Sequence, residues 1–144
     1  MKKTAIILLV LALFSCEEKK PEFILSEPTG NLILLKNYPK DNFLIKNLFK
    51  DFLLKNYLKY DQNITHFSLY KYTANTKYFI KNRDDPGGFS SEELSNYPED
   101  ELATFIISKC VIDTTKKVGE LFFYGLKGSE DGMRETDTLI YKCN

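Results

Sequence analysis

The sequence holds little of what easily recognised chemistry requires: one histidine and three cysteines in 144 residues, and no surplus of charge, because 20 basic side chains offset 20 acidic ones. Balanced charge provides no clustered basic surface to neutralise phosphates, which argues against a nucleic-acid partner. One histidine and so few thiols fall short of a tetrahedral zinc set, so no metal or cofactor is expected. Glycine-rich phosphate loops, CxxC pairs, HExxH and GxSxG are all missing, and the enzyme classes they mark go with them. No apolar run reaches the roughly 20 residues a helix needs to cross a bilayer, so a transmembrane anchor is disfavoured. There is no internal repeat and no low-complexity tract.

The N-terminus is what stands out. Met1-Lys2-Lys3 opens a cationic start, and residues 5–14 carry no charge, which divides the leader into the regions of a secretory signal. The leader ends in Leu13-Phe14-Ser15-Cys16, with a branched apolar residue three before the cysteine and a small one directly before it. This stretch resembles the lipobox of bacterial lipoproteins. The resemblance implies that residues 1–15 are removed and that Cys16 becomes a lipid-bearing N-terminus in the cell envelope, with the outer membrane favoured. Two or three acyl chains, each methylene contributing about 0.8 kcal/mol, would hold such a protein stably where one chain would not. Glu17-Glu18-Lys19-Lys20 resembles the charged surface-export signal of some Bacteroidota lipoproteins, so the outer or the periplasmic face of the membrane is open.

The 128 residues after Cys16 suffice for one domain with one core. Residues 16–30, with mixed charges, two prolines and the short patch Phe23-Ile24-Leu25, read as a lipidated tether, and residues 31–144 as the folded domain. With Cys16 acylated, Cys110 and Cys143 remain as a pair in an oxidising compartment, where disulfides persist. A bond between them is expected, stabilising the fold by about 3–4 kcal/mol through loop closure; two buried free thiols are the alternative.

Along the domain, residues 31–38 form an eight-residue apolar run that reads as a first strand, and Asp41 can cap a helical turn beginning just after it. From 42 to 59 the period changes. Leu44, Ile45, Leu48, Phe49, Phe52 and Leu53 gather on one half of a helix, with Lys46, Asn47, Lys50, Lys55 and Lys59 mostly on the other. That apolar half is read as facing the core. Runs at 64–73 and 76–81, joined by Ala74-Asn75, read as a β-hairpin. His66 lies in its first strand with no recognisable nucleophile motif beside it, so a structural or exposed histidine is favoured over a catalytic one.

Residues 82–101 are the least periodic part. Ser90-Ser91-Glu92-Glu93 can start one short helical turn, and seven carboxylates gather there: Asp84, Asp85, Glu92, Glu93, Glu99, Asp100 and Glu101. Their spacing does not follow a calcium loop, so a solvated acidic surface that docks a basic partner is preferred to a cation site. Residues 102–113, 117–126 and 137–143 read as further strands, with Gly125, Gly128 and Gly132 marking a loose turn region before the last.

The expected fold is α+β, an antiparallel sheet of five to six strands on one amphipathic helix. In element order it resembles cystatin-like folds. The expected function is a lipid-anchored, non-enzymatic module that binds another protein, as an inhibitor or immunity-type partner, through Asp84, Asp85, Glu92, Glu93, Glu99 and Asp100 and the rings of Tyr70, Tyr72, Tyr78 and Tyr97. A structural or assembly lipoprotein and a small hydrolase are the alternatives.

Overall fold

A computed structural model of the chain describes residues 19–26, 31–56, 66–80, 91–109, 117–132 and 134–140. Six strands lie side by side in chain order: β1 (Glu22–Leu25), β2 (Leu32–Lys36), β3 (His66–Lys71), β4 (Glu101–Lys109), β5 (Lys117–Phe123) and β6 (Glu135–Ile140). The helix α1 (Asn42–Asn56) lies on one face of this sheet, and the class is α+β. Every pairing is antiparallel except β2 with β3, where Ile33 stands opposite Leu69 and Leu35 opposite Lys71 in a parallel pair. A parallel neighbour needs a long crossover, and α1 is that crossover.

The helix begins where the sequence signals it. The Asp41 carboxylate accepts a hydrogen bond from the Phe43 amide at 2.9 Å, satisfying one of the free donors of the first turn. Ile45, Phe49 and Leu53, one turn apart, are fully buried, with Phe52 partly buried beside them. They meet Ile33, Leu35, Phe67, Leu69, Phe105, Leu121 and Phe123 from the sheet. The buried stripe is narrower than expected, because Leu44 at the helix start is exposed. β2 is buried on both sides, which is why its sequence is continuously apolar rather than alternating. Leu32 and Leu34 face away from α1 into a second cluster with Tyr70, Phe79 and Leu94.

Two segments differ from their sequence reading. Glu22–Leu25 belongs to the sheet rather than to a tether, pairing along its whole length with β2. Phe23 holds it there by stacking on Phe52 of α1 at 4.4 Å between ring centroids. The domain therefore begins at residue 22 or before. The second run of the expected hairpin is not a strand: Thr76–Ile80 is a 3-10 helix. Thr73 and Thr76 bond reciprocally, Thr73 Oγ1 accepting from the Thr76 amide at 3.2 Å and Thr76 Oγ1 from the Thr73 amide at 2.9 Å. This is the logic of a capping box, which starts a helical turn. Asn75 stays out of the left-handed region that a hairpin turn would need; among the described residues Asn37 is the one non-glycine there, at φ 51°.

Among the described residues, the remaining connecting elements are short helical pieces: α2 (Ser91–Leu94), a 3-10 turn at Pro98–Asp100, another at Gly125–Lys127, and α3 (Gly128–Asp131). The glycines before β6 do not make a loose turn. Gly125 and Gly128 take φ of 77° and 85°, and a Cβ on Gly128 would lie 2.2 Å from the Pro98 carbonyl oxygen, so the segment is pressed against the 3-10 turn before β4. Cys16, Cys110 and Cys143 lie outside the described residues. Lys109 and Ile140, the last described residues before the latter two, stand at the same end of the sheet on the strands flanking β5.

Candidate functional site

A polar concavity with charged walls opens between the first half of α1 and β6. It encloses about 480 Å³ and is lined by Asp41, Asn42, Phe43, Lys46, Asn47, Lys50, Phe123, Glu135 and Asp137. Local geometry explains its charges. Lys46 and Lys50 are one helical turn apart, and Glu135 and Asp137, two residues apart on a strand, share the face turned toward the helix. The two spacings are nearly equal, so the pairs mesh. Lys46 Nζ lies 2.8 Å from Glu135 Oε2 and 3.1 Å from Asp137 Oδ2, and Lys50 Nζ lies 3.2 Å from Asp137 Oδ2.

These contacts set the protonation states. The Lys46 and Lys50 ammoniums hold the Asp137 carboxyl below the ordinary carboxylate value, its Lys46 hydrogen bond first, against a smaller opposing effect of burial. Burial of Lys46 works against its charge, yet the hydrogen bonds and charges of Glu135 and Asp137 together raise it above 10.5. Lys46 and Asp137 are thus both held in their charged forms. A general acid needs a carboxyl whose pKa is pushed up, and here it is pushed down. The cleft is a neutralised clamp between helix and edge strand rather than a poised acid–base pair.

The residues expected to bind a partner differ in their surroundings where the structure describes them. Asp84 and Asp85 lie outside the described residues, and Glu92 belongs to α2. Glu93 and Glu99 are exposed. Asp100 is not available to a partner: it is 7 % exposed, accepts from Thr73 Oγ1 at 2.8 Å and pairs with Lys71 at 3.7 Å, tying the turn before β4 to the end of β3. A buried carboxylate is retained only with such partners, and Lys71 and Thr73 supply them. Of the four tyrosines, Tyr70 is buried, which with the nearby Glu101 charge raises its pKa strongly. Tyr72 and Tyr97 are half-buried, and Tyr78 is 58 % exposed. His66 is exposed and hydrogen-bonded to Asn31 at 2.9 Å. No group of three His, Cys, Asp or Glu side chains fit to hold a metal occurs among the described residues.

The sequence reading missed the clamp because its halves are 89 residues apart. A signal was present: Lys46 and Lys50 border the apolar stripe, and Glu135-Thr136-Asp137-Thr138 alternates in strand fashion, putting both acids on one face.

Among the described residues, the sheet's other face is only partly covered. The 3-10 helix Thr76–Ile80 and α2 overlie β2 and β3, whereas Ile106, 37 % exposed on β4, and Phe122 on β5 stand beside Thr104, Ser108 and Glu120 with solvent access. Arg134 lies over the Phe122 ring at 4.1 Å from its centroid. Comparison with protein-family models, curated proteins and solved structures finds no match to this chain.

Proposed function

We propose that the protein is a lipid-anchored cell-envelope protein whose domain works by binding another protein, as an inhibitor or immunity-type partner. The observation that carries the reading is the half-open second face of the sheet. Over β4 and β5 it presents Ile106 and Phe122 among hydroxyls and a carboxylate, a mixture of apolar centre and polar surround that suits protein recognition. Glu93 and Glu99 stand exposed on the segment leading into β4 and supply the acidic flank expected from the sequence. The pairing of Glu135 and Asp137 with lysines weighs against the hydrolase alternative, since a glycosidase-type acid must be held protonated.

The address rests on Cys16 and its leader, and the Cys110–Cys143 bond is proposed with it. Intact mass of the mature protein, with and without reductant, tests both. For the binding role, the lipidated protein is used to recover partners from the native envelope. A stoichiometric partner lost on Ile106→Lys and weakened by Glu93→Lys with Glu99→Lys supports the reading. Recovery that none of these changes alters would discard this surface.

A further inference from the structure

The placement of β1 shortens the connection to the lipid and so restricts which part of the domain can meet the membrane. β1, β4 and β6 start, and β2, β3 and β5 finish, at one end of the sheet, here the upper end. The chain enters at that end. The Lys20 carbonyl accepts a hydrogen bond from Asn37 Nδ2 at 3.1 Å, just past the end of β2, so residue 20 is already fixed to the domain. Three residues separate Cys16 from Lys20, and the four Cα–Cα steps between them, fully extended, span at most about 14 Å. A domain of this size has a radius of gyration of roughly 14 Å. The link is too short to let it turn its far side to the bilayer.

The surface held closest has the chemistry of a membrane interface. Lys19, Lys20 and Lys40 are exposed, and the connection from β2 to α1 carries the exposed ring of Tyr38 and, in the first helical turn, Phe43, 73 % exposed. Of the described acids at this corner, Glu22 pairs with Lys36 at 3.6 Å and Asp41 caps α1, while Glu17 and Glu18 precede Lys19 in the sequence. Glu99, Glu130 and Asp131 stand exposed at the same end but toward β4 and β5, which favours a tilted contact through the β1–β2 corner. Aromatic rings sit well at headgroup level, and lysines near an anionic leaflet are attracted to it.

We propose that Lys19, Lys20, Tyr38, Lys40 and Phe43 form a surface that rests on the anionic membrane to which Cys16 is attached. The inference depends on the lipid-anchor reading. It leaves Tyr78 away from the bilayer, since the Phe79 carbonyl beside it accepts from Ser26, just beyond the lower end of β1.

The chain has no tryptophan, so one introduced ring is an unambiguous probe. Tyr38→Trp and Tyr78→Trp are made in the full lipidated protein and reconstituted in vesicles of phosphatidylglycerol and phosphatidylcholine with brominated acyl chains. Trp fluorescence at 38 is expected to be quenched at least roughly twofold more than at 78, and Lys19→Glu, Lys20→Glu and Lys40→Glu together should abolish the difference. Equal quenching at the two sites, with acyl chains confirmed on Cys16 by mass, overturns the contact while leaving the anchor intact. Quenching at 38 that survives the three charge reversals overturns the lysine contribution. An unmodified Cys16 overturns the anchor reading, and the inference falls with it.

Discussion

Lys46 Nζ sits 2.8 Å from Glu135 Oε2, joining the second turn of α1 to the outermost strand across 89 residues of sequence. Among the described residues β6 has a strand neighbour on one side only, so beyond β5 it is attached by this clamp and by Leu139, which packs against the core. Edge strands held by few contacts are where local opening begins. Lys46 is only 14 % exposed, but Glu135 is largely in solvent, so the pair is worth about 1 kcal/mol at most. Lys46→Met should lower stability by that order and speed amide exchange in β6 selectively, with β2 and β3 unchanged.

The same clamp predicts a pH dependence with a defined sign. Asp137 has its pKa lowered from 3.8, so its contribution is complete above that value and is lost as pH falls through the lowered one. Lys46 has its pKa raised from 10.5, so its contribution is complete below that value and is lost as pH rises through the raised one. Between these limits the clamp is constant. Urea midpoints of the wild type and Asp137→Asn should differ by a fixed amount near neutrality and converge in acid as pH falls through the lowered Asp137 pKa. A gap that persists undiminished there would show that Asp137 acts through packing and not through charge.

Thr73 performs two tasks. Its hydroxyl accepts from the Thr76 amide and donates to the buried Asp100 carboxylate. Thr73→Val keeps the shape and removes these bonds together with the one accepted from the Asn75 amide, which should cost about 2 kcal/mol as a lost cap and a weakened buried carboxylate. Thr73→Ser should recover most of it. Denaturant unfolding of the two variants checks the difference.

How far the sequence discloses this fold can be judged from particular residues. The α1 stripe of Ile45, Phe49 and Leu53 is legible because helix periodicity reports burial directly, and the Asp41 cap because it is a local bond. β1 is hidden: Phe23-Ile24-Leu25 amid prolines and charges has no periodicity of its own, and only pairing with β2 and the Phe52 ring makes it a strand. The 3-10 helix at Thr76–Ile80 is hidden for the opposite reason, because β-branched and aromatic residues there suggest a strand while two threonine hydroxyls decide otherwise. Asp100 looks like one of seven equivalent acids, and nothing local distinguishes it, since Lys71 and Thr73 reach it only in the folded chain. The clamp is a long-range pairing of the same kind.

If β1 belongs to the domain, the Phe23 ring should carry stability that a tether residue would not. It stacks on Phe52 and faces Phe49 at 6.2 Å between centroids. Phe23 is only partly buried, so Phe23→Ala should cost about 2 kcal/mol, below the range for a fully buried ring. The neighbouring Glu22→Ala, which removes an exposed ion pair, should change stability by less than about 0.5 kcal/mol. Thermal unfolding of both variants tests the boundary of the domain: equal, negligible effects would return residues 22–25 to the tether.

Gly119 and Gly128 both lack room for a Cβ, and for different reasons. At Gly119 the atom in the way is the tip of the Phe105 ring, 2.5 Å from an ideal Cβ, and the backbone does not sit at positive φ. A side chain can tilt, so Gly119→Ala should cost about 1–3 kcal/mol by overpacking. At Gly128 the obstacle is the Pro98 carbonyl at 2.2 Å and the Glu99 backbone behind it, and φ is 85°. Neither can yield without moving the turn that precedes β4, and an alanine would also be strained in the left-handed region. Gly128→Ala should therefore be the more damaging of the two and shift the thermal midpoint further, with the loss reported first by exchange at Pro98–Asp100 and the start of β4. If the two variants unfold alike, the contact between α3 and the turn before β4 is looser than this arrangement requires.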